Sequence, residues 1–506
     1  MTARLAFGLL LLSEVAAGAE TGVPLPPAPV RIVIPDAAAF DAALTGAYRR
    51  ALTGTPDAAD PVVAGWRRSQ VGAKLEDQWG KLAGDLPWTW SEIMALRPRR
   101  LGLALLDAGA LDAVLVIEGG ATALPSPLAP GAAKTHGGAP YHAVARRSAG
   151  GAGETERRTG FAWAQAGGRL FLATSEEALL LALDELRAGR FFDPPLAGLA
   201  SVDLDVAALG KERYFRREFL FGAGDGAGHV AAALRLEGGE LVEVRQGLGE
   251  AGPAGVTFQV PRATASAWEP DGATLLPALR AALLEPLPTR RDRPLVPIGP
   301  LPPVVAASTD RYLVNLERPP AAEMPWEEGE LVGWRELFQK NPVSGWGYAL
   351  DADGARRFVF PWPERLDSDL LALCVASAAR RGGPTTTTAG DTREIRVGAD
   401  LPALALRRTG AYIWLGRSAA ELADAPTPTV AGDLIRWARV DLDAVRTEAA
   451  RWGRAEGPAA PERIRPLSDR VLGLLGWIPE TTSLRIERRR SEGGWTERVV
   501  FGRGSK

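Results

Sequence analysis

At 506 residues the chain is too long for one ordinary core, and about two to four domains follow from length alone. Its 46% hydrophobic and 24% charged residues are those of a globular protein, and a net charge of -2 excludes a global field that gathers nucleic acid or an anionic membrane. Its one cysteine, Cys374, excludes an intramolecular disulfide, which a chain of this size does not need.

Residues 1–19 read as an export signal. Arg4 supplies the positive end, Leu5 to Leu12 a short apolar core, and Ala17-Gly18-Ala19 a small-residue cleavage site before Glu20. Glu14 interrupts that pattern. No cysteine follows for lipid anchoring, and no later apolar run approaches the ~20 residues that cross a bilayer. A periplasmic or secreted location, with no transmembrane segment after signal removal, is expected.

The rest of the chain repeats itself. A helical region from Ala37 to Leu52, with Phe40, Leu44 and Tyr48 on one face, continues from Val62 to Leu82. Thr274 to Leu284 and Leu331 to Gln339 are its counterparts. Strands Leu101 to Leu106 and Ala113 to Glu118 flank Asp107-Ala108-Gly109, as Gly345 to Asp351 and Arg356 to Phe360 flank Ala352-Asp353-Gly354. Polar loops are expected at Arg146 to Gly160 and Arg380 to Thr392.

After each loop a strand runs into a helix. Leu170 to Ala173 precedes the N-cap Ser175 and acidic Glu176-Glu177, while Tyr412 to Leu415 precedes Ser418 and Glu421 at capping-box spacing. The segments Ser201 to Val206 and Arg439 to Ala444 then share Val-Asp-Leu-Asp. Each copy closes on a hairpin, through Glu237-Gly238-Gly239-Glu240 and through Glu492-Gly493-Gly494. Four landmarks in one order, at nearly constant separation, indicate a tandem duplication.

The expected fold is α+β, with two tandem copies of a mainly antiparallel sheet covered by helices on one face. The first copy spans 20–257 and the second 258–506, with a Pro-rich insertion at 286–303.

Chemistry-bearing residues are sparse. Asp203 and Asp205, like Asp441 and Asp443, share a strand face that could offer oxygen ligands to a cation, but a water-facing or helix-capping role explains them without a ligand set. His136, His142 and His229 are the only histidines, and no third ligand completes a zinc site near the first two. No Gly-x-Ser-x-Gly elbow occurs, and Gly222 to Gly228 lacks the ending of a phosphate loop. Cys374 lies in an apolar stretch, as a buried inert thiol does.

Trp88, Trp90, Trp326 and Trp334 are candidate binding anchors, with core packing as the plain alternative. Arg485, Arg488, Arg489 and Arg490 make the last hairpin basic, with Arg485 and Arg489 on one face. No aromatic ladder accompanies them as single-stranded nucleic acid would require. No catalytic, cofactor-binding or metal-binding residue is assigned.

The run Gly167-Gly168-Arg169-Leu170-Phe171-Leu172-Ala173-Thr174-Ser175, followed by Ala178-Leu179, resembles an element of large bacterial exported proteins in domain-of-unknown-function families. In those proteins it recurs in each half before a Val-Asp-Leu strand, here at Val202 and Val440. The resemblance implies an exported, duplicated α+β protein and no catalytic residues. The expected function is an exported non-enzymatic binding or scaffold protein, with a protein, polymer or lipid ligand in a cleft between its copies. An envelope-polymer hydrolase and a lipid-handling periplasmic protein are the alternatives.

Overall fold

The run Val30-Arg31-Ile32-Val33-Ile34 is rich in β-branched residues, which suit a pleated, half-buried surface. In the computed structural model it is strand β1, at the centre of a ladder. The structure describes residues 22–43, 90–107, 112–120, 133–147, 158–211, 228–248 except 239, 252–279 except 262, 283, 332–351, 355–379, 383–397, 401–444 and 482–502. These fall into two compact units, divided between Gly249 and Glu250.

In the first unit β1 (Val30–Ile34) is joined by β2 (Arg100–Asp107), β3 (Asp112–Glu118), β4 (Lys134–His136) and β5 (Ala139–Arg147). β6 (Arg158–Ala166), β7 (Arg169–Ala173), β8 (Ala200–Asp205), β9 (His229–Glu237) and β10 (Glu240–Leu248) complete it. The ladder runs β10-β9-β8-β1-β2-β3-β7-β6-β5-β4, and every pairing is antiparallel.

Alternation along the strands places apolar side chains on both faces of the sheet. Leu170 and Leu172 of β7 pack with Phe40 of α1 (Ala37–Ala43) and Ile93 of α2 (Trp90–Ala95). Phe171 and Ala173 point the other way, onto Ala178, Leu179 and Ala182 of α3 (Glu176–Arg187). Helices therefore lie on both faces of this sheet, rather than on the one face expected, because both sides of β3 and β7 are apolar. Ser175 caps α3 by accepting the Ala178 N–H at 3.0 Å, and α4 (Val206–Lys211) follows β8.

In the second unit the pair β11 (Gly255–Thr257) and β19 (Thr429–Ala431) stands apart from the main ladder. The ladder strands are β12 (Ala263–Glu269), β13 (Trp346–Asp351), β14 (Arg356–Pro361), β15 (Pro384–Ala389) and β16 (Thr392–Val397). β17 (Leu401–Thr409), β18 (Tyr412–Gly416), β20 (Leu434–Asp441), β21 (Ser483–Ser491) and β22 (Gly494–Gly502) complete the set. Their order is β22-β21-β20-β12-β13-β14-β18-β17-β16-β15, again antiparallel throughout.

Helices α5 (Leu275–Leu279), α6 (Val332–Lys340) and α7 (Asp367–Ala379) belong to this unit. β15 replaces the polar loop expected there. Thr385 to Thr388 are β-branched, and the Gly390-Asp391 turn returns them along β16. Ser418 and Glu421 make local cap bonds, but only turns follow where the first unit has α3.

Both ladders need a glycine at one point. A Cβ on Gly102 would stand 2.6 Å from Val23 Cγ1, and one on Gly347 would stand 2.3 Å from Phe258 Cε1. In each unit the segment before the first ladder strand crosses the sheet there. The expected helix at 62–82, the Gly-rich loop over 222–227, the 286–303 insertion and the signal at 1–19 lie outside the described residues.

Candidate functional site

Register decides how the two ladders correspond. Counted from the β2–β3 and β13–β14 hairpins, Ile32 and Ala267 hold one position, as do Val202 and Ala438. Asp205 therefore corresponds to Asp441, and Asp203 to Arg439. Both Asp205 and Asp441 cap the turn that follows. Asp205 Oδ1 accepts the Ala208 N–H at 2.8 Å, and Asp441 Oδ1 accepts those of Asp443 and Ala444 at 3.0 Å.

Asp203 does not face water. It is 7% exposed, and its Oδ2 lies 2.6 Å from Arg31 Nη2 on β1. The Arg31 guanidinium in turn lies 3.8 Å from the centre of the Phe192 ring. His229 stands 3.9 Å from each of Asp203 and Asp205. The cross-strand row Arg31, Asp203, Ala231 carries one charge of each sign.

The corresponding row of the second unit differs. Ser266, Arg439, Arg485 and Val500 lie side by side across β12, β20, β21 and β22. It holds two arginines directly opposite one another and no carboxylate, and both arginines are exposed. The neighbouring row is Trp268, Trp437, Glu487 and Arg498.

Beside these rows is a hollow of about 150 Å³. Phe258, Leu434 and Trp437 give it an apolar lining, and Arg439, Arg485, Glu487 and Arg489 a charged one. Phe258 meets Trp437 edge-on at 5.0 Å, and the Trp437 Nε1–H donates to the Val256 carbonyl at 2.7 Å, which fixes the indole. The Arg439 guanidinium is 5.8 Å from the Trp437 ring centre. Arg489 bonds Asp433 at 2.9 Å and Glu487 at 3.0 Å. Glu487, then Asp433, raises its pKa.

The other charged clusters serve the scaffold. Glu118, 3% exposed, is met by Arg169 at 2.6 Å, Arg100 at 3.4 Å and Arg99 at 3.7 Å. Tyr141 donates to Glu176 at 2.6 Å, as does Lys134 at 2.9 Å, and these bonds hold the Glu176 carboxyl below its ordinary range. The pair fastens the β4–β5 hairpin to the start of α3. Arg357 binds Asp351 at 2.8 Å and the Glu421 carbonyl, while Arg407 donates to the carbonyls of Leu422 and Ala423. Val114 and Ala164 hold those two positions in the first unit, against α3.

Of the other sequence candidates, His136 bonds Asp184 at 2.8 Å and His142 stacks on Trp163 at 4.2 Å. Among the described residues no group of three or more His, Cys, Asp or Glu is placed to hold a metal ion. Cys374 is fully buried, and burial pushes its thiol pKa far up. Trp334 is 1% exposed and donates to Ser377 Oγ at 3.0 Å, so it is a core residue rather than an anchor. Arg488 pairs with buried Glu497 at 3.0 Å and stacks on Trp495 at 4.0 Å. Trp90 opens α2, and Trp88 and Trp326 lie outside the described residues.

Sequence reasoning passed over Arg439 and Trp437 because it aligned Asp203 with Asp441. The tryptophan two residues before an arginine on the same strand was the available signal. Among the described residues no helix is long and apolar enough to cross a membrane. Comparisons with family models, curated proteins and solved structures gave no match to this chain.

Proposed function

We propose that this is an exported, non-enzymatic binding protein built from a duplicated α+β unit, and that its ligand seats in the Trp437 hollow of the second unit. Identical ladder order, a glycine yielding to a crossing segment in each unit, and a capping aspartate at one shared position support the duplication. Arg4, the Leu5 to Leu12 run and Ala17-Gly18-Ala19 support export.

One observation carries the binding assignment. In the second unit a hollow with an apolar floor of Phe258, Leu434 and Trp437 is bordered by the charged side chains of Arg439, Arg485, Glu487 and Arg489. Convergent polar groups around an apolar floor are what a small-ligand site requires. Burial of Asp203 against Arg31, and the capping bonds of Asp205 and Asp441, support the binding reading over the hydrolase alternative.

Native mass spectrometry of the gently purified chain tests this. A retained mass is expected on the wild type and not on Thr257→Trp, which fills the hollow from β11. A spectrum of bare chain, or a mass kept by that variant, would overturn the assignment.

A further inference from the structure

We infer that the chain associates with a second copy of itself, strand β15 pairing antiparallel with its counterpart about a two-fold axis at Thr387. This goes beyond the binding assignment and uses a different surface.

β15 ends the second ladder, and among the described residues it pairs only with β16. Its outer row of backbone donors and acceptors is a template for another strand. Sheet edges are ordinarily blunted by shortness, lysine, inward charge or a bulge. β15 runs for six residues, and its register with β16 is unbroken. Thr385 to Ala389 carry no charge and are exposed on both faces. The matching edge of the first unit is blunted. β4 is three residues long and begins with Lys134. It is tied to α3 by Lys134–Glu176 at 2.9 Å and His136–Asp184 at 2.8 Å.

The run itself selects the occupant. Thr385 to Thr388 are four identical residues, so the strand is complementary to its own reverse. Threonine opposite threonine is among the favourable cross-strand pairs. A closed two-fold pair needs just such a self-complementary surface.

Symmetry then restricts the register. Directly opposite side chains share a sheet face and successive ones alternate, so a two-fold axis must set one residue against its own copy. Pro384 has no N–H to donate and belongs outside the new ladder. Centring on Thr386 would bring it in, opposite Thr388. Centring on Thr387 leaves it out. Thr387 then faces its own copy, Thr386 faces Thr388, and Thr385 faces Ala389.

The experiment is sedimentation velocity on the full chain over a range of concentrations. A reversible dimer that grows with concentration is expected, weak because a single strand pair is a small interface. Thr387→Lys and Thr387→Glu should each weaken it by roughly fivefold or more at low salt, since like charges meet at the axis. An equal mixture of the two variants should restore it. Thermal midpoints should stay at the wild-type value, because Thr387 is exposed. Cysteine variants read the register. Opposite Cα atoms lie about 5 Å apart, within disulfide reach, so Thr387→Cys should cross-link under a mild oxidant. Thr385→Cys would stand about 14 Å from its copy and should not. The native Cys374 is buried and adds no link.

A chain monomeric in itself at every concentration, whether bare or carrying another protein's strand on β15, would overturn the inference. So would a dimer indifferent to both charges, a mixture that restores nothing, or equal cross-linking at Thr385→Cys and Thr387→Cys.

Discussion

Gly347→Ala tests the crossing of the second unit's sheet by the segment that carries Phe258. The new methyl would lie 2.3 Å from Phe258 Cε1 and 2.7 Å from both its Cζ and Val359 Cγ1. Ordinary contact begins near 3.4 Å, so the ring must retreat by about 1 Å. It has little room, because Phe258 is 8% exposed and abuts Trp414 at 5.3 Å and Trp437 at 5.0 Å. Val359, on the other side, is wholly buried. Overpacking of this kind costs about 1–3 kcal/mol. Replacing a strand glycine returns roughly 0.5–1 kcal/mol of chain entropy. The expected net loss is therefore about 1–2 kcal/mol. The assay is a double-mutant cycle with Phe258→Leu, measured by urea unfolding followed through tryptophan fluorescence. The smaller side chain makes room for the methyl, so the double variant should be more stable than additivity allows by about 1 kcal/mol. Additive losses, or a neutral Gly347→Ala, would refute the close-approach argument. Gly102→Ala against Val23 is the parallel case in the first unit.

Glu394→Gln should flatten the acid limb of the stability curve. Burial opposes the charge of Glu394, but the Ala419 N–H at 2.6 Å and Arg396 at 2.5 Å outweigh it and lower the pKa from 4.5. A depressed folded-state pKa gives stability that is complete above 4.5 and lost as pH falls through the folded value. Urea midpoints from pH 7 to 3 should show the wild type losing more than the variant. Asp203→Ala should cost about 2 kcal/mol in urea unfolding. That is below the figure for a wholly buried pair, because Arg31 retains 22% side-chain exposure. Cys374 should resist a thiol reagent in the native chain and react fully in urea, and rapid native labelling would contradict its burial.

The antiparallel character of both sheets was legible because turn-forming residues such as Gly238 sit between apolar strands. Ser175 was readable as an N-cap for the same reason of local chemistry. The centre of each sheet was harder. β12 is an alternation of small residues with one tryptophan, and its assignment depends on β13 and β20, which are distant in sequence. The threonine run of β15 looked like a loop because its side chains are exposed, yet β-branching and the partner strand decide its state. The site was missed through register. Asp203 and Asp441 match by motif, but a shift of two residues keeps the same strand face and changes the charge on it from Asp203 to Arg439. Only the ladder distinguishes the two alignments.

The first strand of each ladder lies in its interior, β1 between β2 and β8 and β12 between β13 and β20. Each ladder thus begins with a strand whose second partner emerges more than a hundred residues later. Until Ala200–Asp205 or Leu434–Asp441 is available, that strand keeps one row of backbone donors and acceptors unpaired. Closure over such a separation is slow, and the waiting edge is a template for other chains. Refolding from urea should therefore be slow and concentration-sensitive, and truncation before β8 or β20 should yield aggregates rather than a smaller folded unit.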